Sequence, residues 1–307
     1  TMAAGKRAMT RLTLLGTGTP TNPHRFQTSA LLEVGAAKLL FDAGRGTVHQ
    51  LYQAGVDLSQ IGPVFITHHH FDHINDLFDV IISTAMQGRE ETLHVYGPAG
   101  TQTIVDALLN IVYANDIRFR LEEDLEVRRR GRSWNERPEA IRDVVVHEVG
   151  QGFVASDPDW QVSSDFVRHG VFPKAPDFAW HCLGYRVETP AGTITISGDT
   201  VPCPGILNLA READLLVQCC HLPLSALTNP TRQYLTETIL PTTAQAGQIA
   251  AETQAKHLVL THLSPLISEA GEATVRAEVA RHYQGPVTLA EDLLALELGP
   301  NGVTVIR

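Results

Sequence analysis

No apolar run of about 18 residues occurs in the chain, so a membrane span is not expected. Residues 1–10 lack the apolar core of a signal peptide. They read as a disordered leader or a remnant of expression. Cysteine is scarce: Cys182, Cys203, Cys219 and Cys220 show no paired CxxC spacing and suggest no disulfide framework. They read as buried reduced thiols in a cytoplasmic protein. Positive charge is in deficit, with a formal net charge of -10. Affinity for a polyanion rests on neutralising its phosphates with Lys and Arg, so nucleic acid is not expected as a partner. Phosphate-cradling glycine loops are missing too. Gly16-Thr17-Gly18-Thr19-Pro20 fits neither GxGxxG nor GxxxxGK and reads as a strand-ending turn. No linker rich in Pro, Gly or Ser divides the chain, and no short repeat is evident.

What is present is an ordinary globular composition: 307 residues, 43% hydrophobic, with a mean hydropathy of -0.04. Strand patterns are expected at 11–15, 29–34, 38–41, 63–66, 93–96, 141–149, 152–155, 160–167, 183–188, 193–197, 214–218, 257–260, 287–289, 293–298 and 303–306. Helical spacing recurs at 74–86, 98–112, 242–253 and 270–282. This alternation predicts an α/β fold with two sheets packed between helices in one domain. The stretch 118–143 is different, being charged and poor in apolar residues. Its cluster Arg128, Arg129, Arg130 and Arg132 reads as a solvated helix and loop neutralised by flanking acids, rather than as an anion site.

Histidine is abundant, at 14 residues. Four potential metal ligands, His68, His70, Asp72 and His73, fall within Thr67-His68-His69-His70-Phe71-Asp72-His73, between a buried strand and an apolar helix. Alternate residues on extended backbone share a side, so His68 and His70 can face one ion. Asp72 and His73 follow at the turn into the helix and can address a second. His69, between two ligands, should point away. A helical HExxH site is absent. His169, Asp199 and His262 stand at other predicted strand ends, where α/β proteins gather their sites. Seven ligands exceed what one zinc takes and suit two ions. Asp42, a short carboxylate at a strand end, is a candidate partner for a metal-bound histidine.

The motif resembles HxHxDH of the metallo-β-lactamase superfamily, and most closely the branch of ribonuclease Z with some arylsulfatases and phosphodiesterases. The likeness extends over Leu15-Gly16-Thr17-Gly18-Thr19-Pro20 with Arg25, Phe41-Asp42-Ala43-Gly44-Arg45-Gly46-Thr47, Val167-Arg168-His169, Ser197-Gly198-Asp199-Thr200 and Leu258-Val259-Leu260-Thr261-His262. It implies an αββα four-layer sandwich over residues 11–307. It also implies two divalent ions: His68, His70 and His169 on one, Asp72, His73 and His262 on the other, Asp199 bridging. Zinc is the expected metal, with manganese or iron accepted by the same ligands. A homodimer is implied by resemblance.

Three departures shape the functional expectation. Members that process tRNA carry a His-Glu pair where this chain has Gln218-Cys219-Cys220. They carry another His where Leu240-Pro241-Thr242 stands here. Many have a long tRNA-binding arm between the third His and the bridging Asp, where only thirty residues separate His169 from Asp199. The expected activity is therefore hydrolysis of a small phosphodiester or sulfate ester by a metal-bridging hydroxide. Lactone, thioester or carboxylic ester hydrolysis, tRNA 3′ processing and a non-catalytic metal-binding role are the alternatives. Asp72 would orient the hydroxide or shuttle its proton. His221, beyond the 214–218 strand, is a candidate general acid in place of the missing His. Cys203, soon after Asp199, is read as a packing residue.

Overall fold

A computed structural model describes residues 9–132, 137–172, 175 and 178–306. In chain order the strands are β1 (Thr10–Gly16), β2 (Ser29–Val34), β3 (Ala37–Phe41), β4 (Val64–Phe65), β5 (Leu93–Gly97), β6 (Val144–Glu148), β7 (Gly152–Asp157) and β8 (Trp160–Val167). They continue as β9 (Cys182–Thr189), β10 (Gly192–Ile196), β11 (Leu215–Cys219), β12 (Leu258–Thr261), β13 (Val287–Leu289), β14 (Leu294–Gly299) and β15 (Gly302–Ile306). One sheet has eight strands in the order β15-β14-β1-β2-β3-β4-β5-β6. The other has seven, β13-β12-β11-β10-β9-β8-β7.

Burial sets the layers. Inward side chains of both sheets, among them Leu12, Leu32, Phe41, Phe65, Val162, Tyr185, Ile194 and Val217, form a shared core between them. The outer face of the first sheet packs Leu31, Leu40 and Val64 against Leu51, Leu77 and Ile81 of its helices. The second sheet packs Leu216, Leu258 and Leu260 against Ile206, Ile249 and Val279 in the same way. The result is the αββα sandwich expected from the sequence.

Several element boundaries differ for physical reasons. β1 takes in Thr10, which is fully buried and pairs with Val34 and Leu298. Most of the expected leader, residues 1–8, lies outside the described residues. The helical run expected at 74–86 is two helices, Phe71–Ile74 and Leu77–Met86. The break occurs where Asp76 leaves the helix pattern: its N–H donates to Ala43 O and its carboxylate accepts from Gly46 N. Two helices had no clear sequence signal, Pro204–Leu209 and Pro230–Thr238, each short and opened by a proline. The charged stretch forms a helix at Ala114–Arg129. Arg128 pairs with Asp124, and Arg129 and Arg130 pair with Glu126. Among the described residues no helix is long and apolar enough to cross a membrane.

The two sheets meet at one end through main-chain contacts. Leu183 N donates to Thr67 O, and the Tyr185 hydroxyl donates to Ile66 O. Gly198, at φ 57°, lets this end close: a Cβ there would sit 2.6 Å from Leu183 O and 3.0 Å from the Thr67 side chain. This end carries the candidate site.

Candidate metal centre

The candidate ligands stand beyond strand ends of both sheets, most of them in loops, with Asp72 and His73 in the short helix Phe71–Ile74. His68, His70, Asp72 and His73 follow β4, His169 follows β8, Asp199 follows β10 and His262 follows β12. The structure gathers them into two groups whose ligand atoms lie within 4.8 Å of one another: His68, His70, His169 and Asp199, and then Asp72, His73 and His262. His70 Nδ1 is 3.0 Å from both His68 Nε2 and His169 Nε2. Asp199 Oδ2 sits between the groups, 3.9 Å from His68 Nε2 and 3.6 Å from His169 Nε2 on one side. On the other it is 3.6 Å from His73 Nε2 and 3.4 Å from His262 Nε2. Asp72 Oδ2 is 3.2 Å from His262 Nε2 and 3.7 Å from His73 Nε2.

These spacings fit metal ions. Donor atoms around a tetrahedral zinc, at about 2.0–2.1 Å from it, stand roughly 3.3 Å apart. His73 Nε2 and Asp199 Oδ1 are buried with no hydrogen-bond partner, an arrangement that is costly unless a ligand completes it. Burial holds His68 well below the usual imidazole range, with His73 adding to the effect. Burial and then His169 lower His70 to about 4. Burial alone would raise Asp199, but His262, His73 and His169 outweigh it and hold the carboxyl well below its ordinary range. Asp72 follows the same logic, with His262 and His73 opposing burial. Neutral imidazoles beside ionised carboxylates are the protonation states a metal requires. His73 differs: burial lowers it, yet Asp42 and Asp199 together raise it well above 6.5. Loading that group with metal would release a proton.

The ring nitrogens facing away from the centre are largely held. Asp42 Oδ2 is 2.8 Å from His73 Nδ1, and the same carboxylate accepts from Thr67 N at 2.7 Å and Thr67 Oγ1 at 2.9 Å. Thr67 Oγ1 also meets His68 Nδ1 at 3.0 Å. His169 Nδ1 lies 2.7 Å from Ile239 O. Asp42 and His262 both adopt left-handed backbone, φ 57° and 56°, a strain that persists only where surrounding contacts over-determine it. For His262 those contacts come from the Thr17 loop: Leu263 N donates to Thr17 O and Asn22 Nδ2 to Leu263 O. His69 turns away, its Nε2 2.8 Å from Thr101 Oγ1.

The altered positions lie beside this centre. Gln218, Cys219 and Cys220 are fully buried. The Cys219 thiol accepts from Thr200 N at 3.2 Å, next to Asp199. Cys203 is buried, 3.5 Å from Thr200 Oγ1. His221 has its ring 6.4 Å from that of His262, and its Nδ1 is buried without a partner. Burial first, then His262, lowers it to about 4. Pro241 O accepts from His221 N, and Ser264 Oγ donates to His221 O. One neighbour carried no sequence signal: Trp180, whose ring centroid is 4.7 Å from that of His70. Nothing in its local pattern marked it, because thirty residues of loop and strand hid which face of the site they would cover.

Fold and site, with the curated relative described next, define a metal-dependent hydrolase of the metallo-β-lactamase superfamily. The chain is 31% identical to ribonuclease Z of Mycobacterium marinum over 296 residues, covering 94% of this chain and 99% of that protein. It belongs to the ribonuclease Z-like branch of that superfamily. A family model described as anti-Pycsar protein Apyc1 matches residues 10–126. Among solved structures, the metallo-beta-lactamase fold protein YhfI from Bacillus subtilis superposes with a TM-score of 0.70 at 18% identity, covering 95% of this chain and all of that one. The short form of human tRNase Z superposes with a TM-score of 0.67 at 23% identity, covering 93% of this chain and 98% of that one.

These relatives correct two expectations. The leading functional reading, a small phosphodiester or sulfate ester, is overturned by full-length likeness to proteins named ribonuclease Z. The expectation that nucleic acid is an unlikely partner falls with it. Both rested on features outside the ligand set: a His-Glu pair, a further His, an arm and the net charge. Net charge sums the whole surface and says little about the few groups that face a substrate. The non-catalytic alternative falls as well, since these relatives are enzymes.

Proposed function

We propose that this chain is a dinuclear metal-dependent endoribonuclease that cleaves a phosphodiester bond of RNA, with the 3′ trailer of precursor tRNA as its first candidate substrate. The observation that carries the reaction is the position of Asp199 Oδ2, between two ligand groups and within 3.4–3.9 Å of four histidine nitrogens. The likeness to ribonuclease Z over nearly the whole chain supports RNA as the substrate. In this reading His68, His70 and His169 would hold one divalent ion and Asp72, His73 and His262 the other, with Asp199 available to both. Zinc is the first candidate ion, and manganese or iron, which accept the same imidazole and carboxylate ligands, are the competitors. Two such ions would lower the pKa of a shared water and take up charge on the phosphoryl oxygens.

The chain's own residues supply the rest. Asp72 lies at the rim of the second group, where its carboxylate can orient the attacking water and accept its proton. His221 lies on the His262 side, and its unpartnered Nδ1 can face the leaving oxygen. Because burial keeps that imidazole neutral near pH 7, it acts as an N–H hydrogen-bond donor that needs no net charge. The test is incubation of the metal-loaded protein with a precursor tRNA and mapping of product ends. Cleavage within the 3′ trailer is expected. Intact RNA in the presence of two bound ions would remove this reading.

A further inference from the structure

An RNA-cleaving enzyme with a net charge of -10 needs a source of affinity other than bulk electrostatics. The arginine-rich helix does not stand out as that source, since Arg128, Arg129 and Arg130 are ion-paired to Asp124 and Glu126. The interval between His169 and Asp199 is too short for a large arm. It holds an aromatic ladder instead. Trp180 packs on His70, ring centroids 4.7 Å apart at 41°. Phe178 lies against Trp180 at 5.8 Å and 20°, nearly parallel. Phe172 stands edge-on to Phe178 at 5.3 Å and 70°.

The ladder is built and open. Ala175 N donates to Phe172 O, and Phe178 N donates to Ala175 O. Gly170, at φ 102°, makes room for the Phe172 ring, because a Cβ there would lie 2.7 Å from it. Yet Phe178 is 52% exposed and Phe172 45% exposed. Large apolar rings in contact with one another and left open to water mark a binding surface. Their continuity with His70, itself solvent-exposed, ties that surface to the metal centre.

We propose that Phe178, backed by Trp180 and Phe172, is a stacking platform for an unpaired nucleobase next to the scissile phosphate. This inference rests on the RNA-cleaving reading and names the form of RNA: single-stranded at the cut. Base–aromatic stacking is a usual device for holding unpaired nucleotides without hydrogen-bond readout of the base. The base lies on the outer face of Phe178. Insertion between Phe178 and Trp180 would need about twice the ~3.4 Å spacing of stacked nucleotides, more than their 5.8 Å separation. The platform is therefore one-sided, tolerant of base identity and intolerant of base absence.

The test compares two precursor tRNAs that are identical except for an abasic ribose in the unpaired 3′ trailer beside the cleavage point. With metal-loaded wild-type protein, kcat/KM is expected to favour the intact strand by about 5- to 150-fold, the range of a single base–aromatic stack. Phe178→Ala should bring that ratio to within about twofold of unity, and Phe178→Tyr should restore it. Trp180 fluorescence gives a second readout on the metal-free protein, with Trp180→Phe as the control that removes the signal. A saturable change with intact RNA and a weaker one with abasic RNA are expected. If wild type cleaves both strands equally, or Phe178→Ala keeps the preference, the platform is overturned while RNA cleavage stands. If wild type cleaves neither strand, the RNA-cleaving reading fails, and the fluorescence titration alone decides whether the ladder binds nucleobases. If Phe178→Ala lowers only the oligomeric state, the ladder is a contact between copies and the inference is overturned.

Discussion

The floor and the rim of the site are built by opposite means. On the floor, His68, His73, His169, Asp199 and His262 are buried, and several are gripped from behind by Asp42, Thr67 or Ile239 O. On the rim, Phe172, Phe178 and His221 are held by turns and ring contacts, with open faces or an unpartnered nitrogen. In the proposed reading the floor would hold the ions that activate water. In the same reading the rim would select the substrate; Gln218 and Cys219, where the sequence departs from the tRNA-processing pattern, are fully buried and are not part of it. The floor residues cluster in one short sequence motif and at strand ends, whereas the rim is assembled from loops, which is why the chemistry could be read with ease and the substrate could not.

The comparison is broken most severely by removing a floor residue. His68→Ala or His73→Ala should abolish turnover and lower bound metal by at least one ion per chain, measured by metal analysis of the purified protein. Full metal content with lost turnover would shift those residues from ligands to another role. The rim residue His221 should matter less: His221→Ala is expected to lower kcat by ~10²-fold, the low end of what removing one preorganised hydrogen-bond donor costs, with metal content unchanged. Asp42→Asn probes the support under the floor. Outer partners of metal-bound histidines typically hold 10–100-fold in metal affinity, so a shift of about that size is expected in a chelator titration. An unchanged affinity would detach Asp42 from the site.

The smallest effect concerns the loop that follows His221. The Glu278 carboxylate accepts from Leu224 N at 2.6 Å, Ser225 N at 2.9 Å and the Thr243 hydroxyl. Burial would raise its pKa, but these hydrogen bonds hold it below the ordinary value of 4.5. A depressed carboxyl stabilises the fold fully above its unfolded pKa and loses that contribution as pH falls through the folded one. Glu278→Gln should therefore lower stability by about 1.5–3 kcal/mol at pH 7, the value of hydrogen bonds to a charged group. The gap between variant and wild type should narrow below pH ~4.5 in urea melts. A gap that stays constant with pH would show that the carboxylate's charge is not involved.

The sequence made parts of this legible in proportion to how local they are. Four ligand residues within Thr67-His68-His69-His70-Phe71-Asp72-His73 announce themselves because strand, loop and helix period all agree there. The strand pattern was equally readable, since apolar runs such as 258–260 are fully buried. The helix break at Asn75 and Asp76 was hidden, because it depends on bonds to Ala43 and Gly46, about thirty residues away. The contact of His262 with Asp72 spans 190 residues and could be expected only from the family likeness. Trp180 and Phe178 had no pattern to betray them. Their meaning comes from the ring of His70 beside them, which only the packed structure supplies.

The most direct test of the central claim is to map the ends of RNA produced from a precursor tRNA by protein carrying a measured metal content. The account predicts a single cut in the unpaired 3′ trailer, present with two ions per chain and absent after His68→Ala. Unchanged RNA from a fully loaded wild-type protein, or a cut that survives loss of the metal, would contradict it.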